Sequence, residues 1–144
     1  MDNSNKIFIG SDHGGFELKA KIINYISGLG YKVEDVGCNS NDSCDYPIYG
    51  KEVAKKVAKG EGLGILICGT GIGMSVVANR NTGIRAALCL NGYMAKMAKK
   101  HNNANILVLG ARVLGEGLAM DIVDIWLNTD FEGGRHQKRL DMIN

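Results

Sequence analysis

Three glycines at alternate positions, Gly69, Gly71 and Gly73, break the apolar run Ile65-Leu66-Ile67-Cys68 before apolar character resumes at helical spacing. Glycines so spaced let a strand turn sharply into a helix and gather backbone N–H groups at the positive end of that helix, which favours a small anion or an oxyanion. Cys68 stands at the lip of the turn. Thiols beside backbone donors and a helix N-terminus are the ones that serve as bases or nucleophiles near neutral pH. No Lys-Ser/Thr pair follows the last glycine, so the run is not a nucleoside triphosphate loop. Taken alone, the glycines fit a tight structural turn equally well, and the rest of the chain has to decide.

Around this turn, short apolar strands alternate with amphipathic helices. Strands are expected at residues 6–10, 31–36, 65–68, 84–88 and 106–109. The first helix presents Leu18, Ile22, Ile26 and Leu29 before Gly30 stops it, and Pro47 opens a second with Val53, Ala54, Val57 and Ala58 on one face. Later helices are expected over 93–100 and over 116–127, the latter with Leu118, Ile122, Ile125 and Trp126 inward. This alternation predicts an α/β, three-layer doubly wound sandwich on a mainly parallel five-stranded sheet, Rossmann-like, with residues 1–144 as one domain. A length of 144 residues and 45% hydrophobic content suit one core.

Ligands of such sheets bind beyond the carboxyl ends of the strands, and Asp12 and His13, the turn after Cys68, and Arg112 all fall there. In isolation Asp12 fits a helix cap, His13 an exposed loop residue and His101 the complement of a helix C-terminus. Residues 128–144 hold too few apolar side chains for a core element and read as an arm. On a helix, Arg135 and Arg139 would point the same way and grip one phosphate, whereas their ordinary reading is a solvated tail.

A formal charge of +2, with lysines spread along helical faces, excludes a nucleic-acid surface. The polar start carries no signal peptide and no apolar run reaches spanning length, which predicts a cytoplasmic protein away from membranes. Cys38, Cys44, Cys68 and Cys89 form no C-x-x-C pair, which argues against a zinc site and a disulfide framework; Cys38, Cys44 and Cys89 read as small buried hydrophobes.

Six stretches occur in one order: Ser11-Asp12-His13-Gly14-Gly15, Asp45-Tyr46-Pro47, Cys68-Gly69-Thr70-Gly71-Ile72-Gly73, Gly83-Ile84-Arg85-Ala86, His101-Asn102-Asn103-Ala104-Asn105 and Gly133-Gly134-Arg135-His136. Together they closely resemble the type B ribose-5-phosphate isomerases over nearly the full chain. The resemblance implies a cofactor-free and metal-free aldose–ketose isomerase of the pentose phosphate pathway, interconverting ribose 5-phosphate and ribulose 5-phosphate through an enediolate. It implies Cys68 as the proton-carrying base, with Thr70 beside it, Ser75 or a neighbour standing where some members have a carboxylate, and His101 opening the furanose ring. By the same resemblance the N–H groups of Gly69, Thr70, Gly71, Ile72 and Gly73 hold the oxyanion, and Asp12, Tyr46 and Asn102 bind hydroxyls. His13, Arg112, Arg135 and Arg139 match the phosphate set. Family sites lie between two subunits, which implies a homodimer or a dimer of dimers, with the arm reaching the partner.

Three rival readings stand beside this one. The family also contains isomerases of six-carbon aldose phosphates. A nucleotide-binding module on the same fold would use Asp35 as its ribose-binding acid, although Asp12 would then face the pyrophosphate. A non-catalytic sugar-phosphate binder would keep the pocket without turnover.

Overall fold

Strands covered by helices on both faces must be apolar on both faces, and the isoleucine-rich runs of this chain meet that condition. In the computed structural model, which describes residues 5–143, they form β1 (Lys6–Ser11), β2 (Lys32–Gly37), β3 (Leu63–Cys68), β4 (Ala86–Leu88) and β5 (Ile106–Gly110). The polar start at residues 1–4 and Asn144, the end of the expected arm, lie outside the described residues. The sheet order is β2-β1-β3-β5-β4, and every pairing is parallel rather than mainly so.

Four helices join the strands, α1 (Phe16–Gly28), α2 (Tyr46–Ala58), α3 (Ile72–Asn79) and α4 (Gly92–Lys100), and two follow β5, α5 (Glu116–Leu127) and α6 (Arg135–Leu140). Alternate side chains of each strand point to opposite faces, so the core has two halves. Ile7, Ile9, Ile65, Ile67, Leu107 and Leu109 meet Ile22 and Ile26 of α1, Ala95 and Ala98 of α4, and Ile122 and Trp126 of α5. On the other face Phe8, Leu66, Cys68 and Val108 meet Val53, Ala54 and Val57 of α2, and Met74 and Ala78 of α3. The result is the three-layer sandwich.

Helical spacing misjudged some faces. Leu29, Ala58 and Leu118 are exposed rather than inward, because the first two lie at or beyond helix ends and Leu118 sits in the opening turn of α5, ahead of the stretch that packs. β4 begins at Ala86, two residues later than expected, since Ile84 N–H bonds Asn81 O in a turn. Part of the arm is helical and docked: His136 and Leu140 of α6 are buried.

Burial also takes in a lysine. Lys19 is 1% exposed, its Nζ 2.5 Å from Asp35 Oδ1 and 2.6 Å from the Cys38 carbonyl. Asp35 accepts the Gly37 N–H as well, at 3.0 Å. The ammonium thus ties α1 to the end of β2, where the loop toward α2 begins. Lys19→Met should lower stability by about 1–3 kcal/mol, because two acceptors lose a charged donor while water reaches the half-exposed carboxylate of Asp35. Urea denaturation reads this directly, and an unchanged midpoint would mean that the tie is dispensable.

Candidate functional site

At the carboxyl end of β3 the chain leaves the sheet through Cys68 and turns into α3. Gly71, at φ +84°, makes the turn; a Cβ there would lie 2.5 Å from Leu88 Cδ1, so no side chain fits. Thr70 Oγ1 accepts the Ile72 N–H at 3.2 Å. Of the five N–H groups expected to serve an oxyanion, that of Ile72 is engaged by this bond. Among the described residues, the N–H groups of Gly69, Thr70, Gly71 and Gly73 have no protein partner. Free donors at a helix entrance are the arrangement that favours an anion. Cys68 itself is only 5% exposed, with its side chain in the α2/α3 half of the core.

The neighbouring strand ends supply the rest of this edge. Asp12 does cap the 3₁₀ turn at His13–Gly15, Oδ1 accepting Gly15 N–H at 3.1 Å, so the structural role expected for it is filled. Its second carboxylate oxygen accepts no hydrogen bond from the described residues. His13 Nδ1 accepts the Cys44 N–H at 3.2 Å, which leaves the proton on Nε2 as an outward donor. The Arg112 guanidinium packs against Gly14 and Gly69, bridging the loops after β1 and β3. Tyr46, at the start of α2, lays its ring against Gly73, where a Cβ would come 2.6 Å from Cζ. Asp12, His13, Tyr46, Cys68, residues 69–73 and Arg112 are therefore one constellation at one edge.

His101, Asn102, Arg135 and Arg139 are not part of it. α4 carries the chain from the carboxyl end of β4 back toward the amino end of β5, and His101 caps α4 at that far edge. Strand β5 alone spans roughly 16 Å at about 3.3 Å per residue, so His101 and Cys68 of one chain lie at opposite edges of the sheet. There the His101 ring stacks on His136 with centroids 4.1 Å apart and planes 12° from parallel. His136 Nε2 is buried 3.6 Å from Glu132 Oε1, beyond hydrogen-bonding distance, and has no other partner. Arg135 and Arg139 are exposed on α6 beside this stack.

Ligand atoms of His101, Glu132 and His136 lie within 4.8 Å of one another, a spacing in reach of a metal ion. Stacked rings direct their nitrogen lone pairs in parallel planes, however, and a tetrahedral ion needs them to converge. As it stands, no hydrogen bond links the three side chains. Glu132 escaped the reading of the sequence; its i, i+4 spacing to His136 was the available signal. Cys44 is half-buried, its Sγ 4.0 Å from His13 Nδ1, rather than fully buried as expected. Burial and the neighbouring Cys38 raise the Cys44 thiol pKa. Cys38 and Cys89 are buried as expected, and desolvation pushes the Cys89 thiol up to about 11. Asp35, the acid that a nucleotide module would need, is held by Lys19.

A family model described as Ribose/Galactose Isomerase matches residues 7–143. Ribose-5-phosphate isomerase B of Escherichia coli is 48% identical over 139 residues, which cover 96% of this chain and 93% of that protein. Among solved structures, ribose-5-phosphate isomerase B of Clostridium thermocellum superposes with a TM-score of 0.95 at 55% identity, covering 96% and 94% of the two chains. The Mycoplasma genitalium ribose-5-phosphate isomerase B, crystallised with bound ribulose-5-phosphate, gives a TM-score of 0.93 at 43% identity, covering 96% and 93%.

The His136 imidazole is held below its ordinary value, first by burial and then by His101 and Arg135, with Glu132 opposing. The unfolded chain, whose histidine titrates near 6.5, therefore binds the proton more readily than the native one. This contribution to stability is complete above that pH and is lost as pH falls below about 6.5 toward the native value. Melting temperature measured against pH should fall on acidification more steeply for the wild type than for His136→Gln. Parallel curves would show that this histidine is not desolvated on folding.

Proposed function

The chain belongs to the ribose/galactose isomerase family, and on that footing we propose that it interconverts D-ribose 5-phosphate and D-ribulose 5-phosphate through an enediolate. The observation that carries this reading is the meeting, at one edge of the sheet, of a buried thiol, unpartnered loop N–H groups and the His13–Arg112 pair. Isomerisation needs a base that carries one proton between adjacent carbons, donors for the oxygen that gains charge, and an anchor for the phosphate.

Cys68, as thiolate, takes the proton from C2 of the open-chain aldose. The C–H electrons form the C1–C2 double bond and the carbonyl pair moves onto O1, giving the enediolate. The free N–H groups of Gly69, Thr70, Gly71 and Gly73 stabilise that charge. Thr70, whose Oγ1 accepts from Ile72, still has its own O–H to donate. The thiol then returns its proton to C1, and the O2 proton passes to O1 as the C2 carbonyl forms. Asp12 and Tyr46 hold hydroxyls, while His13 Nε2–H and Arg112 hold phosphate oxygens.

Ring opening must come from elsewhere, because the His101 of the same chain lies at the far edge. A second copy supplies it, together with Asn102 and the α6 arginines Arg135 and Arg139, so the active unit is a homodimer or a dimer of dimers with the arm at the shared site. A phosphorylated sugar substrate and four unpaired thiols fit the reducing cytoplasm. Among the described residues no helix is long and apolar enough to cross a membrane.

An isomerase assay across five- and six-carbon aldose phosphates tests the substrate, with ribose 5-phosphate expected to be preferred. Cys68→Ala should lose about 10²–10⁴ in rate while binding changes little, as a positioned base is worth that much. Arg139→Ala should mainly raise KM, each charge-assisted phosphate contact being worth roughly 1.5–3 kcal/mol. The shared site makes a sharper demand. Mixing inactive Cys68→Ala chains with His101→Asn chains should restore roughly a quarter of wild-type activity, because half the dimers are mixed and each mixed dimer holds one intact site. No recovery after verified exchange of subunits would place both residues in one chain's site.

A further inference from the structure

The stretch Gly83-Ile84-Arg85-Ala86 has no part in the chemistry above, yet its arginine is tied to the loop that carries His101. Arg85 Nε donates to the carbonyls of Asn102 at 3.1 Å and Asn103 at 3.0 Å, and Nη1 reaches Gly83 O at 3.4 Å. Asn105 answers from the other side. Its Oδ1 accepts the Arg85 N–H at 2.8 Å, its Nδ2 donates to Gly83 O at 2.9 Å, and its own N–H donates to Arg85 O at 3.0 Å. Asn103 between them has φ +45°, the only non-glycine residue among those described with a positive φ.

No carboxylate pairs with the Arg85 guanidinium among the described residues, so its charge is spent on main-chain oxygens. Burial lowers its pKa from the free value, as expected for a cation desolvated without a counter-ion. The single Nε–H is shared between two adjacent carbonyls while Nη1 reaches a third in the same plane, a fixed arrangement that a lysine, a single point charge on a flexible stem, cannot reproduce. The same side chain lines a cleft with Asn103, Gln137, Leu140 and Asp141, so it also stands between the loop and α6.

We propose that Arg85, interlocked with Asn105, is the positioning residue for ring opening: it clamps the carbonyls after His101, setting the loop so that the His101 ring is presented from the stack with His136. This rests on the isomerase reading and deepens it. Arg85 has no contact with the thiol half of the site, and at saturating ribulose 5-phosphate, where any weaker hold by the neighbouring Asn102 is made up, its effect falls on the step that His101 serves. Proton exchange at C1 of open-chain ribulose 5-phosphate needs Cys68 and the glycine loop but no ring opening, which separates the two halves experimentally.

The experiment uses the full-length protein in heavy water with ribulose 5-phosphate, following deuterium entry at C1 of the ketose and net formation of the furanose aldose by NMR. For Arg85→Met, net conversion should fall about 10²-fold, the scale set by a misplacement of order 1 Å, while exchange stays within about twofold of wild type. Arg85→Lys, which keeps the charge and is the milder change should Arg85→Met fail to fold, should show the same split at smaller size. Parallel loss of exchange and conversion in Arg85→Lys, or no loss in either folded variant, would overturn the positioning role. A wild type showing neither exchange nor conversion would overturn the isomerase reading itself, and the inference with it.

Discussion

In an all-parallel sheet every strand delivers its carboxyl end to the same edge, and every connecting segment must carry the chain back before the next strand begins. Residues just after strands therefore gather at one edge, and residues just after helices at the other. Here that rule assembles Asp12, His13, Cys68 and Arg112 without any contact between their parent segments in sequence, and it sends His101 away from them. A site that needs both groups has to be built from two molecules. For the isomerase proposed above, oligomerisation would then follow from strand direction.

The carboxyl edge tolerates so many close approaches because its glycines leave room for neighbours rather than for motion. The missing Cβ of Gly71 is filled by Leu88, that of Gly73 by the Tyr46 ring, and that of Gly15 by Ile67. Backbone donors are thereby brought up to the end of β3 on a turn whose shape is fixed by packing. The amino edge is constructed differently. It relies on polar side chains, Arg85 and Asn105, to brace carbonyls, and on the stacked His101–His136 pair. One half is rigid through packing, the other through hydrogen bonds.

Much of the molecule was legible in the chain. The five strands and the helices between them follow from apolar runs and helical spacing, with errors confined to ends such as Leu29 and Ala58, where the last turn no longer faces the sheet. The carboxyl-edge residues were legible because position after a strand is enough to place them. Glu132, Lys19 and the work of Arg85 were not. A lysine in the middle of an amphipathic helix is ordinarily solvated, and nothing in its spacing announces that Asp35 and the Cys38 carbonyl wait on the buried side. Asp12 was legible only as a pair of alternatives, and the fold shows the capping one, through one carboxylate oxygen.

What the sequence determined by itself was the alternation of elements, the glycine turn beneath Cys68 and the order of the polar stretches, since each depends on local periodicity and on backbone freedom at single residues. What only the tertiary structure decided was which of those stretches face one another. Sheet order and strand direction are set by packing between distant segments, and they put Gly83-Ile84-Arg85-Ala86 against residues 101–105 and the thiol at the opposite edge from the histidine. No local pattern encodes that separation, because it arises from the return path that every parallel strand requires.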